Sequence, residues 1–118
     1  MNKRECGSEQ EKKAAGYLKE QGYEILQRNY YCRFAELDIV ARGMDGYLCF
    51  IEVKYRKNRR YGAPEGVVSY QKQRKICQGA RFYMKEKRIP EETPIRFDVI
   101  VIIGDEIQLI QDAFDFIL

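Results

Sequence analysis

The chain has 118 residues, 45% of them hydrophobic and 33% charged, a length and mix that bury about two-thirds of the unfolded surface around one core. One domain spanning residues 1–118 is expected, with no room for a second and no low-complexity tract. With no histidine at all, triads built on His, His-rich metal sites and nucleases with a His general base are excluded, so any hydrolysis must run on carboxylates, lysine and metal. No apolar run is long enough to span a bilayer and no basic-then-apolar leader opens the chain, so a cytoplasmic protein with no membrane partner is expected. Cys6, Cys32, Cys49 and Cys77 form no C-x-x-C pair and read as free thiols.

Ser8 followed by Glu11 has the spacing of a capping box, which would start a first helix at Ser8. Ala14, Ala15, Tyr17 and Leu18 then form its apolar stripe, and Gly22 is the expected C-cap. From the residues alone Glu11 reads first as that cap and second as an acid near a metal. Tyr23 to Cys32, rich in Tyr and Ile, reads as a strand.

The stretch Ala35 to Lys54, AELDIVARGMDGYLCFIEVK, is two strand-like runs joined by a turn. It places Glu36, Asp38, Glu52 and Lys54 where a sheet prefers Val, Ile or Thr. Met44-Asp45-Gly46 suits a three-residue hairpin loop in which Gly46 takes the left-handed position. That loop pairs Gly43 with Tyr47, so counting outward Asp38 faces Glu52 and Glu36 faces Lys54. Two carboxylates would then stand roughly 5 Å apart at Cβ on one face. A two-residue Asp45-Gly46 turn would pair Asp38 with Val53 instead and send Asp38 and Glu52 to opposite faces. In the first register the two acids raise one another's pKa, and a divalent Mg²⁺ or Mn²⁺ relieves the repulsion. Lys54, on the face of Glu52, could orient a water or neutralise charge on a phosphodiester. The bland reading makes all four cross-strand ion pairs.

In the strand Tyr47 to Tyr55, Leu48 and Phe50 lie on the Glu52 side and Cys49, Ile51 and Val53 on the other, the pattern of a central strand covered on both faces. After Lys54 a basic loop carries Arg56, Lys57, Arg59 and Arg60 between Tyr55 and Tyr61, suited to phosphate contact and base stacking or simply to solvation. Ser69 is the expected N-cap of a second helix running to about Lys87, with Ile76, Cys77, Ala80, Tyr83 and Met84 buried. Lys72 falls in its first turn, where a cation opposes the helix dipole, so a bound phosphate is one reason for it to be there. Strands follow at Arg96 to Ile103 and Ile107 to Gln111, with an apolar tail Ala113 to Phe116. The order is αβββαββ, and the strand after the helical crossover can pair parallel to the meander, giving a mixed five-stranded sheet flanked by two main helices. Basic residues gather at 54–60 and 72–88 while acids dominate after Glu91, so the net charge of +3 understates the pull on a polyanion.

With these pieces placed, the chain resembles the YraN-like family of small bacterial proteins, in the restriction-endonuclease-like, PD-(D/E)xK fold group related to Holliday junction resolvases. The resemblance rests on Gly7, Glu11, Ala14 and Leu18, on Arg28-Asn29, on Glu36-Leu37-Asp38, and on Ile51-Glu52-Val53-Lys54 with Arg56. It continues through Gly62, Lys72, Ala80, Arg96-Phe97-Asp98 and Ala113-Phe114. It implies a metal-dependent phosphodiesterase site with Asp38 and Glu52 as metal ligands, the Val53 carbonyl joining them, Lys54 as catalytic lysine and Glu11 as a further carboxylate. Lys72 matches a family lysine and would contact a backbone phosphate, and resolvase-like relatives often act as homodimers. Ala35 stands where the family pattern usually has Gly, and no proline precedes Asp38.

Two functions follow. The first is a Mg²⁺- or Mn²⁺-dependent nuclease acting on DNA, including branched, flapped or single-stranded forms. The other is a nucleic-acid-binding or adaptor module of the same fold without turnover. A purely structural role has only the acidic C-terminal region to suggest it.

Overall fold

The structure, a computed structural model, describes residues 3–56 and 68–117, the side chains of residues 3–8 excepted. In chain order the elements are α1 (Lys3–Glu20), β1 (Glu24–Tyr31), β2 (Glu36–Arg42), β3 (Leu48–Arg56), α2 (Tyr70–Glu86), β4 (Ile95–Ile103) and β5 (Glu106–Phe114). The strands form one five-stranded sheet in the order β1-β2-β3-β4-β5, antiparallel except for the parallel β3–β4 pair. The expected α/β class, element order and mixed sheet are therefore observed. The parallel pair is central because β3 and β4 are apolar on both faces and need cover on each. The polar-alternating β1 and β5 take the edges.

Each face has its own core. On one side Ala14, Ala15 and Leu18 of α1 lie on Ile39, Ala41, Cys49, Ile51, Ile100 and Ile102. Two small residues in that stripe let the helix axis come close to the sheet. On the other side Ile76, Cys77, Ala80 and Tyr83 of α2 meet Leu37, Val40, Leu48, Phe50 and Phe97. Phe114 and Phe116 stack against Phe97 at 5.0 and 6.2 Å between ring centroids, so the apolar tail covers what α2 leaves open. Cys32, Cys49 and Cys77 are free, as expected.

Local chemistry sets the joints. The hairpin between β2 and β3 has the three-residue loop: Gly43 N–H donates to the Tyr47 carbonyl at 2.9 Å and Gly46 sits at φ 85°. Gly22 closes α1, its N–H on the Lys19 carbonyl and the Tyr23 N–H on that of Leu18, a Schellman motif. Ser69 caps α2, its Oγ accepting from Lys72 N–H at 3.2 Å. The Ser8 capping box is corrected: α1 already runs from Lys3, so Ser8 lies inside it. No proline interrupts residues 3–7, and a helix passes through a potential cap residue when nothing upstream stops it.

β5 also runs further than the expected Ile107 to Gln111. It continues through Asp112, at φ 51°, past a register shift opposite Phe97 and Val99. That bulge serves Asp98, which is fully buried. Its carboxylate accepts from Asp112 N–H at 2.9 Å, Tyr23 O–H at 3.0 Å and Arg96 Nε at 3.0 Å. Arg96 reaches on to Asp45 of the hairpin loop and lies over the Tyr23 and Tyr47 rings. A buried carboxylate so fully bonded is a structural tie.

Candidate active site

β2 and β3 pair in the expected register from Arg42 with Leu48 to Ile39 with Ile51, and the ladder stops there. The alternation of hydrogen-bonded pairs makes Leu37 and Val53 the next to exchange bonds. Instead the Asp38 Oδ2 accepts the Val53 N–H at 2.9 Å. The side-chain alternation breaks at the same point, since Leu37 packs under α2 and Ile39 under α1. Asp38 therefore enters the fork between two central strands, edge-on to the sheet, with groups from both faces around it.

On the α2 face stands Glu52, 6% exposed. Its carboxyl is pushed up to about 7, first by burial and next by the Asp38 charge. Lys54 Nζ lies 3.4 Å and Lys72 Nζ 3.8 Å from the same oxygen, Glu52 Oε1. Both ammonium groups pull the pKa down, and burial still wins. The Asp38 carboxyl is raised as well, chiefly by burial, with the Val53 N–H, Lys72, a side-chain hydrogen bond with Glu52, and Lys54 opposing. On the α1 face Glu11 is pushed up to about 7 by burial and by Asp38 and Glu36, against a hydrogen bond with Asn29 and the charge of Arg28. Carboxylate oxygens of Glu11, Glu36 and Asp38 lie within 4.8 Å of one another.

The predicted residues Asp38, Glu52, Lys54, Lys72 and Glu11 are thus brought together around the fork. Val53 contributes backbone to it. Arg56 ends β3, its Nη1 3.5 Å from the Tyr55 carbonyl. Lys57, Arg59 and Arg60 lie outside the described residues. Glu36 departs from its expected place opposite Lys54. With the β2–β3 ladder ended, it pairs across β1 with Tyr31 and joins the acidic group. The signal for it was the i, i+2 spacing of Glu36 and Asp38, which puts two strand residues on one side. Asn29 was also missed as a site neighbour. It stands across from Asp38 in β1 with φ 54°, a backbone state that asparagine tolerates better than most residues.

Carboxyl groups whose pKa values are raised by burial and by one another's charge make a set of hard oxygen donors whose charge a divalent cation would settle. An acid-x-lysine pair on the central strand, an aspartate entering from its neighbour and an acid on the first helix are the features of a PD-(D/E)xK-like fold with a candidate acidic metal-binding cluster.

Residues 10–102 match the family described as Uncharacterised protein family UPF0102. A UPF0102 protein of Lachnoclostridium phytofermentans is 55% identical over 115 residues, 98% of this chain and 97% of the relative. One from Syntrophus aciditrophicus is 44% identical over 109 residues, covering 89% and 84%, and one from Legionella pneumophila is 41% identical over 113 residues, covering 94% and 95%. The family resemblance read from the motifs is borne out. With the acidic fork inside the matched span and relatives aligned nearly end to end, the chain belongs to the UPF0102 family.

Proposed function

We propose that the protein is a Mg²⁺- or Mn²⁺-dependent nuclease that hydrolyses phosphodiester bonds of DNA in the cytoplasm, on branched, flapped or single-stranded forms. The observation that carries this reading is Asp38 held in the strand fork on the Val53 N–H, beside the buried carboxyl of Glu52.

The residues fit a hard divalent cation. Asp38 and Glu52 would supply carboxylate oxygens. The Val53 carbonyl would be a third ligand, since in a strand the N–H and C=O of one residue point to the same side and its N–H already points into the fork. Glu11 would add a carboxylate from the α1 face. When bound, the ion supplies Lewis acidity and a water of lowered pKa. Lys54 then carries the protein's own part of the chemistry. Its ammonium holds Glu52 in place and stands on the face where charge builds on the phosphate. Lys72, from the first turn of α2, offers a second cation to the backbone phosphate. Arg56, with Lys57, Arg59 and Arg60, extends the basic track along which the strand is held.

Calorimetric titration of Mn²⁺ into the wild type, Asp38→Ala and Glu52→Ala, alongside cleavage of linear, single-stranded and four-way-junction DNA, tests the reading. Metal binding and metal-dependent cutting in the wild type, both lost in the two variants, are expected. Wild-type protein that binds Mn²⁺ yet leaves every substrate intact would sink the enzyme reading.

One observation favours the binding module. Lys54 and Lys72 both sit on Glu52, so the chain's own ammonium groups already neutralise part of the charge a metal would meet. That alternative expects salt-sensitive DNA binding that needs no metal and survives Asp38→Ala.

A further inference from the structure

The β1–β2 connection and the C-terminal part of α2 leave two aromatic rings on the surface that neither core uses. Phe34 is 45% and Phe82 37% exposed. Their rings meet edge to face with centroids 6.2 Å apart. Leaving two phenylalanines this open forgoes burial that a folded chain normally takes.

Their support is rigid. The connection closes on itself through Cys32 N–H to the Ala35 carbonyl at 3.0 Å. It is also seated tightly on the helix at Gly79, where a Cβ would lie 3.1 Å from Leu37 Cδ2 and 3.3 Å from Ala35 Cβ. The rings are presented with little ordering left to do. Arg33, next to Phe34, and Lys75, Arg81 and Lys85, on the helix of Phe82, are all exposed, while Glu86 on the same helix is paired with Lys87 at 3.8 Å. Exposed aromatic rings with basic side chains on the same segments complement an anionic strand whose bases are free to stack. A duplex, with its bases stacked inside, offers such a surface only phosphates. The rings are also within reach of the strand fork. Phe34 precedes Glu36 by two residues, and Phe82 lies about 15 Å along α2 from Lys72 at about 1.5 Å per residue.

We propose that Phe34 and Phe82 form a stacking platform for the unpaired bases of a DNA strand that continues into the Asp38–Glu52 fork. The platform rests on the nuclease reading only for what happens in the fork, and it selects substrates that carry a single-stranded segment.

The test measures, at one salt concentration, the binding of a labelled oligothymidylate and of a blunt duplex by the full chain. Variants are Phe34→Ala, Phe82→Ala, the double change, and Phe34→Tyr and Phe82→Tyr, with thermal melting alongside. Each alanine is expected to weaken single-strand affinity by about tenfold. Duplex affinity and melting temperature should hold, and the tyrosine variants should bind as the wild type does. Unchanged single-strand affinity in the double variant would overturn the platform, as would equal losses on both DNAs. A wild-type dimer that the alanines dissociate would overturn it too, by giving the rings to a second copy. Cleavage assays on the same samples keep the two ideas apart: an inactive wild type whose single-strand binding still falls with the rings removed defeats the nuclease and leaves the platform standing.

Discussion

At Glu52, burial and the neighbouring Asp38 outweigh two lysines, and the carboxyl titrates near neutrality instead of at its ordinary 4.5. A carboxyl whose folded pKa is raised binds its proton more tightly in the native state than in the unfolded chain. Its contribution to stability is complete below about pH 4.5 and is lost as the pH rises through about 7. Metal-free Glu52→Gln should therefore match the wild type at pH 5 and exceed it at pH 8 by on the order of 1–3 kcal/mol in urea unfolding. Metal runs the other way, since its ligands must be deprotonated, so the thermal shift given by Mn²⁺ to the wild type should grow between pH 5 and pH 8. At Lys54 the expectation is catalytic rather than structural: Lys54→Met should retain Mn²⁺ binding by calorimetry and lose about 10²- to 10³-fold in cleavage rate. Asp98 shows the opposite case of a buried acid. Asp98→Ala would leave Arg96, Tyr23 and the Asp112 N–H without their shared acceptor, and should cost about 3–5 kcal/mol in urea unfolding.

Among the elements, the β2–β3 hairpin and α2 decide where the chemistry sits. The hairpin register follows from local turn chemistry, because only Gly46 suits the left-handed third position, and it is legible in the residues alone. The fork is not. A ladder that continued would have paired Glu36 with Lys54, and only the break in pairing beyond Ile39 turns Asp38 inward and sends Glu36 toward Glu11. The Ser8 capping box shows the limit of a motif of two residues, since helix propagation upstream overrides it. α2 in turn carries Lys72, and its height over the sheet is set where Gly79 meets Leu37 and Ala35. Gly79→Val should crowd that contact, cost about 1–3 kcal/mol in thermal or urea unfolding, and lower cleavage further than a surface change of equal stability cost, by moving Lys72 off Glu52.

For the whole molecule, no helix among the described residues is long and apolar enough to cross a membrane, and the basic residues gather on β3, the segment after it and α2. If Arg56, Lys57, Arg59, Arg60 and Lys72 each neutralise one phosphate, the logarithm of duplex affinity should fall against the logarithm of salt with a slope of about −4 to −5. Arg59→Ala with Arg60→Ala should reduce that slope by about 2 without changing which DNA is preferred. Sequence alone determined the class of fold, the element order, the central place of β3 and the register of the β2–β3 hairpin from Arg42 to Ile39, because these follow from side-chain period and turn residues. It also named Glu11, though on local physics as a helix cap. Tertiary structure decided the rest: that Glu11 and Glu36 share one acidic group with Asp38, that Lys54 and Lys72 meet on a single oxygen of Glu52, and that Asp98 ties the fold together. Those facts depend on where strands part, how close a helix lies and what burial does to a charge, and such distances exist only once both faces of the sheet are covered.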